Sequence, residues 1–180
     1  MRSELHHEAV IAIKRKSFSE LQDLIAKGAD PLGEDSEMLR LAADVAYPEM
    51  VEFLIPLSNP LALESLALRW ACEQGDEGLE CVKLLLPHSN PKDCKSAALR
   101  LAVTYGGVET ARLLFPLSNP KDVLSDLNNP HRRPKDGVLD LFHALWAEEK
   151  AFKQKDKLTK AIAGAIENSA KKTPKKSKKL

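Results

Sequence analysis

Ser96-Ala-Ala-Leu-Arg-Leu-Ala-Val103 decides the fold, because the octet has two earlier copies, Ser36-Glu-Met-Leu-Arg-Leu-Ala-Ala43 and Ser65-Leu-Ala-Leu-Arg-Trp-Ala-Cys72. Each copy is followed by a second stretch: Pro48-Glu-Met-Val-Glu-Phe-Leu-Ile55, Leu79-Glu-Cys-Val-Lys-Leu-Leu-Leu86 and Val108-Glu-Thr-Ala-Arg-Leu-Leu-Phe115. Each closes on the same punctuation, Pro56-Leu-Ser-Asn-Pro60, Pro87-His-Ser-Asn-Pro91 and Pro116-Leu-Ser-Asn-Pro120. The serines are spaced by 29 and then 31 residues, the closing prolines by 31 and then 29. The middle copy therefore carries two extra residues, within the turn-like Gln74-Gly-Asp-Glu-Gly-Leu79. A period of this length marks a repeat array.

One copy reads as a pair of short helices. Ser36, Ser65 and Ser96 stand where an N-cap belongs, with hydroxyls able to accept from free helix N–H groups. Leu39, Ala42 and Ala43 mark an apolar stripe, repeated as Leu68, Ala71, Cys72 and as Leu99, Ala102, Val103. Alanines let a second helix come close. A turn follows at Tyr47-Pro48, Gly75–Gly78 or Gly106-Gly107, then a leucine-rich helix with a stripe such as Val82, Leu85 and Leu86. The proline after it ends the helix, and Ser-Asn-Pro supplies turn chemistry into the next copy. Such a pair cannot bury its own apolar face, so neighbours must stack.

The unit resembles the ankyrin repeat. Leu-Arg-Leu-Ala-Ala is similar to that family's Leu-His-Leu-Ala-Ala, and Gly106-Gly-Val-Glu-Thr-Ala-Arg-Leu-Leu-Phe115 to its Gly-His-x-Glu-Val-Val-x-Leu-Leu-Leu. The resemblance covers residues 36–122, and Leu21-Gln-Asp-Leu-Ile-Ala-Lys-Gly-Ala-Asp-Pro31 ends a leading repeat in the same style. The expectation is an all-α, ankyrin-like helical-pair solenoid with repeats at 8–35, 36–64, 65–95 and 96–124. There are departures: Ser-x-x replaces the family's Thr-Pro opening, and the unit is shorter than the usual length of about 33 residues. A tight Ser-Asn-Pro turn should stand in place of the projecting hairpin.

The C-terminal third loses this pattern. Residues 125–137 are rich in turn formers and read as a loop. Residues 138–169 read as a helical region, in one helix or two, with apolar positions 138, 141, 142, 145, 146 and 152 on one side; a cap over the last repeat is expected, and a protruding helix for a partner or a second copy is the alternative. Residues 170–180 are too charged to fold alone and read as a disordered basic tail.

Composition bounds the function. Hydrophobic residues make up 43% of the 180 and aromatics 5%, which suits close-packed short helices rather than sheet. No apolar run approaches the roughly 18–20 residues that cross a bilayer, so no membrane partner is expected. The polar start, with Glu4, His6, His7 and Glu8, is unlike a secretory signal. Cys72, Cys81 and Cys94 lack a CxxC spacing, so buried reduced thiols and a reducing compartment are expected, cytoplasmic, or nuclear in a eukaryotic host. His6-His7 reads as a mobile tail, and His88, His131 and His143 lack ligand-spaced neighbours. No phosphate-binding, dinucleotide-binding, zinc-protease or nucleophile-elbow motif occurs, so neither enzyme, metal nor cofactor is expected.

Net charge is +1, but it is divided. Residues 34–81 hold eleven acids against Arg40 and Arg69; residues 150–180 hold eleven lysines against Asp156 and Glu167. The resemblance implies a protein-binding module using a concave inner-helix face. Family geometry nominates Asp44, Glu73, Gln74 and Tyr105; Trp70 reads as core or as an interface anchor, Asp76 and Glu77 stand at the insertion, and the acidic block implies a basic partner surface. One version is an inhibitor or effector of viral or bacterial origin. Arg40, Arg69 and Arg100, where the family usually has a histidine bridging backbone groups between repeats, should be structural, with a guanidinium row facing an acidic partner as the alternative. The alternative function is nucleic-acid contact through Lys171, Lys172, Lys175, Lys176, Lys178 and Lys179. Oligomeric state is left open.

Overall fold

The computed structural model describes residues 2–105, 107–127 and 137–171, with side chains over 4–105, 107–123 and 137–164. The chain divides into two units, Met1–Phe142 and His143–Leu180. The first holds helix pairs α1 (Arg2–Lys14) and α2 (Phe18–Ala26), α3 (Gly33–Asp44) and α4 (Pro48–Leu54), α5 (Ala62–Glu73) and α6 (Leu79–Leu85), and α7 (Asp93–Tyr105) and α8 (Val108–Leu114). A ninth helix, α9 (Pro120–Leu127), follows, and α10 (Val138–Lys171) begins in this unit. No strand occurs among the described residues.

Within each pair the two helices pack together, and α1, α3, α5, α7 and α9 lie side by side in chain order. A second layer is formed by α4, α6 and α8. The stripes expected from the octets form the core between them: Leu39, Ala42, Ala43, Leu68, Ala71, Cys72, Leu99, Ala102 and Val103 are all fully buried. So are Met50, Val51 and Leu54 of α4, and Cys81, Val82 and Leu85 of α6, while Leu86 is half-buried. Phe18 of α2 meets Phe53 of α4 edge-on at 5.6 Å, which joins the leading pair to its neighbour.

The connection between pairs is the unusual part. Each closing proline sits in a single 3-10 turn, Ile55–Leu57, Leu86–His88 or Phe115–Leu117, after which Ser58, Ser89 and Ser118 are extended. The following asparagine folds back on the chain, its Oδ1 accepting from Leu61, Lys92 or Lys121 N–H. Then α3, α5 and α7 each open with three successive left-handed residues: Glu34-Asp35-Ser36, Leu63-Glu64-Ser65 and Cys94-Lys95-Ser96, with φ between 49° and 61°. For residues other than glycine this conformation costs about 1–2 kcal/mol each. Tertiary contacts offset it.

The serines that end these triads are buried, and their role differs from the expected N-cap. Each hydroxyl accepts from the asparagine N–H of the next connection at 2.9 Å: Ser36 from Asn59, Ser65 from Asn90, Ser96 from Asn119. Ser65 and Ser96 also donate to the next repeat's carboxylates, Asp93 at 2.6 Å and Asp122 at 3.2 Å. Left-handed backbone turns the hydroxyl away from its own helix and into the neighbouring repeat. Arg40 and Arg69 make their backbone bonds inside one repeat. Arg40 donates to the Glu34 carbonyl at 2.7 Å and Arg69 to that of Leu63 at 2.8 Å, so each satisfies the first residue of its own triad.

Three boundaries differ from expectation. α1 starts at Arg2, so His6 belongs to a helix rather than a tail, and its Nε2 lies 2.9 Å from Glu37 Oε2 on α3. α9 runs to Leu127, into the stretch read as loop; most of the rest of that loop lies outside the described residues. The C-terminal region contains one continuous helix, and its start covers the last repeat: Val138 and Phe142 are buried, with Phe142 edge-on to Phe115 at 5.6 Å. From Ala147 to Ala163 every residue except Glu149 is exposed.

Candidate functional site

Asp44 is the last residue of α3 and Glu73 the last of α5, in the same register of neighbouring repeats. Side-by-side packing of α3 and α5 therefore brings two carboxylates together at two helix C-termini, each of which carries roughly half a negative charge from the helix dipole. The Glu73 carboxyl is held above its ordinary range, chiefly by burial and then by the negative charge of Asp44, with Arg69 opposing. Gln74, just past the end of α5, donates from Nε2 to Asp44 Oδ1 at 3.1 Å and ties the two ends together.

One turn earlier on the same helices, Arg40 and Trp70 meet. The Arg40 guanidinium carbon lies 5.4 Å from the Trp70 ring centroid, and the indole is half-buried. A cation over an indole face attracts the ring's negative quadrupole. The arginine that holds the left-handed turn thus also supports the tryptophan. Positions i, i+3 and i+4 share a helix face, so Arg40–Asp44 and Trp70–Glu73 form one patch across α3 and α5.

The other expected residues are placed differently. Tyr105 ends α7 with its side chain 45% exposed. Its backbone carbonyl stands 3.2 Å from where a side chain on Gly75 would begin. Asp76 is engaged inside the stack: its carboxylate accepts from Val108, Glu109 and Thr110 N–H at 2.9–3.1 Å, capping α8 of the next repeat. Thr110 adds a hydroxyl bond to the Gly75 carbonyl at 3.0 Å. Glu77 is exposed. The structure therefore gathers Asp44, Trp70, Glu73 and Gln74, places Tyr105 on the next inner helix, and uses Asp76 as a cap. Arg40, expected to be structural, belongs to the patch as well, because its guanidinium faces Trp70 of the next repeat. Of the tail lysines, Lys172 to Lys179 lie outside the described residues.

Cys72 and Cys81 have the character expected of core residues. Cys72 is fully buried, and burial, then the charge of Glu73, pushes it far up; burial foremost pushes Cys81 up to about 11. Cys94 is half-buried and donates to Glu64 Oε2 at 2.6 Å, which raises it too. None is poised as a thiolate. A groove of about 310 Å³ between α6 and α8 is lined by Leu79, Lys83, Glu109, Arg112 and Leu113, none of them an expected contact. Among the described residues no group of three or more His, Cys, Asp and Glu could hold a metal, and no helix is long and apolar enough to cross a membrane.

No curated protein matches the chain. The family model for ankyrin repeats (3 copies) matches residues 39–125, from the first octet's core leucine to α9. Proteins of this kind are generally protein–protein interaction modules and typically non-enzymatic scaffolds. Helical pairs stacked in register and the matched repeats lead to one conclusion: residues 39–125 of this chain are ankyrin repeats.

Proposed function

We propose that the chain binds a protein partner bearing a basic segment, received on the patch formed by Arg40, Asp44, Trp70, Glu73 and Gln74 and extended by Tyr105. The supporting observation is the meeting of Asp44 and Glu73 at two helix C-termini, with the Glu73 carboxyl raised by burial and by its neighbour. A lysine or arginine from a partner relieves that repulsion, and a half-buried tryptophan beside it is the residue type most often found among binding hot spots. The acidic block over residues 34–81 adds longer-range attraction that speeds encounter. If the captured surface normally holds nucleic acid, the chain acts as an inhibitor or effector.

The test is capture from lysate on the immobilised full chain, with bound proteins identified by mass spectrometry. Basic proteins should be retained by the wild type and by a variant lacking residues 171–180, and lost from Asp44→Asn/Glu73→Gln. Retention that follows the tail instead, and survives neutralisation of both carboxylates, overturns the proposal. Glu73 must be ionised to attract a cation, and its carboxyl sits above the usual range. Capture should therefore weaken as pH falls through that raised range, and return above it.

A further inference from the structure

From Ala147 onward, the described part of α10 keeps its large apolar side chains uncovered: Phe152 is 72% exposed, Leu158 61% and Ile162 52%. At about 100° per residue, these three fall within an arc of roughly 120° of the helix surface. Lys150, Lys153, Lys157 and Lys160 fall on the opposite side, within an arc of roughly 80°. Lys153 pairs with Glu149 and Lys160 with Asp156 along the helix. Lys155 and Lys157 make no ion pair among the described residues. The sequence then adds six lysines between Lys171 and Lys179, so residues 150–180 hold eleven lysines against two acids.

What covers such an arc is decided by its spacing and its charge. A partner helix needs apolar knobs repeating every three to four residues. Here the intervals are six and then four, and Lys155 stands in the middle of the arc. Two copies of α10 side by side would set one lysine-rich helix against another. Nucleic acid would engage the lysines and leave Phe152, Leu158 and Ile162 in water. A lipid surface suits both halves. Fluid acyl chains need no regular spacing, the Lys155 stem can lie in the interface while its ammonium reaches the headgroups, and the other lysines stand within one helix diameter of them. That distance is comparable to the screening length at physiological salt.

We infer that α10 docks on a membrane surface rich in anionic phospholipid, lying in the interface with Phe152, Leu158 and Ile162 inserted. This is a peripheral contact, not a span, and it stands apart from partner binding by the repeats.

The experiment is sedimentation of the full chain with vesicles of phosphatidylcholine, with and without phosphatidylserine. The chain should sediment with the phosphatidylserine vesicles, less so at high salt, and stay in solution with phosphatidylcholine alone. Phe152→Asp/Leu158→Asp/Ile162→Asp should weaken sedimentation at least about tenfold, because the inserted area is replaced by charge. In a separate variant, Phe152→Trp, tryptophan emission should shift to the blue on phosphatidylserine vesicles. Three results would overturn the inference. One is failure to sediment with phosphatidylserine vesicles. Another is sedimentation that ignores the triple substitution but disappears on competition with duplex DNA, which assigns the lysines to nucleic acid. The third is a doubled mass by light scattering that only the triple substitution abolishes, which assigns the face to a second copy.

Discussion

The two rims of the repeat stack join neighbouring repeats by different chemistry. Where one helix pair leads into the next, the device is repeated: a left-handed triad delivers a buried serine to the following asparagine N–H, in all three copies. Where the two helices of a pair meet, each crossing is different: Asp44 accepts from Gln74 of the next repeat, and Asp76, from the insertion, caps the start of α8. The first rim repeats one bond at three junctions. The second gives each junction its own bond, and the patch at Asp44 and Glu73 lies on it. Repetition sets the stack, and departures from it provide the distinguishing surface.

Five substitutions break or sharpen this contrast. The largest effect should come from Gly78→Ala in the insertion, because a Cβ there would begin 2.0 Å from the Ala71 carbonyl oxygen. A backbone atom cannot yield as a side chain can, so chemical denaturation should show a loss of about 3 kcal/mol. Next is Ser65→Ala, which leaves the Asn90 N–H and the Asp93 carboxylate short of a partner and should cost about 2 kcal/mol. The matching Ser36→Ala should cost less, since position 62 is alanine where the later copies have Asp93 and Asp122. Equal losses at the two serines would mean that the carboxylate contributes nothing.

Asp76→Ala should cost about 1 kcal/mol, the usual worth of a helix cap. Amide exchange should show the loss concentrated at Val108, Glu109 and Thr110. The smallest effect has the opposite sign. Lys95 is exposed and left-handed at φ 56°, so Lys95→Gly should stabilise the chain by about 0.5–1 kcal/mol in thermal or denaturant unfolding. In a right-handed helix the same substitution would cost about that much. The sign alone tests the left-handed triad.

Much of the fold was legible before the structure. The octets put leucine and alanine at helical spacing, and those residues form the core. The punctuation Pro-x-Ser-Asn-Pro marks the three junctions after α4, α6 and α8, each a tight turn. The candidate patch was legible in part, because register alone aligns Asp44 with Glu73. The use of Asp76 as a cap was not, since the N–H donors it accepts from lie 32–34 residues away in sequence. Nor was the pairing of Arg40 with Trp70, which needs α3 and α5 side by side.

Sequence by itself determined the period, the helical stripes, the core and the division of charge, because each depends on the order of polar and apolar residues along a short stretch. Tertiary structure decided the rest: the left-handed triads, the destination of the serine hydroxyls, His6 against Glu37, and which face of α10 stays bare. A local rule places a serine before a helix as its cap. Here the partner is a backbone N–H 23 or 25 residues ahead, and only the stacked neighbour brings it within reach.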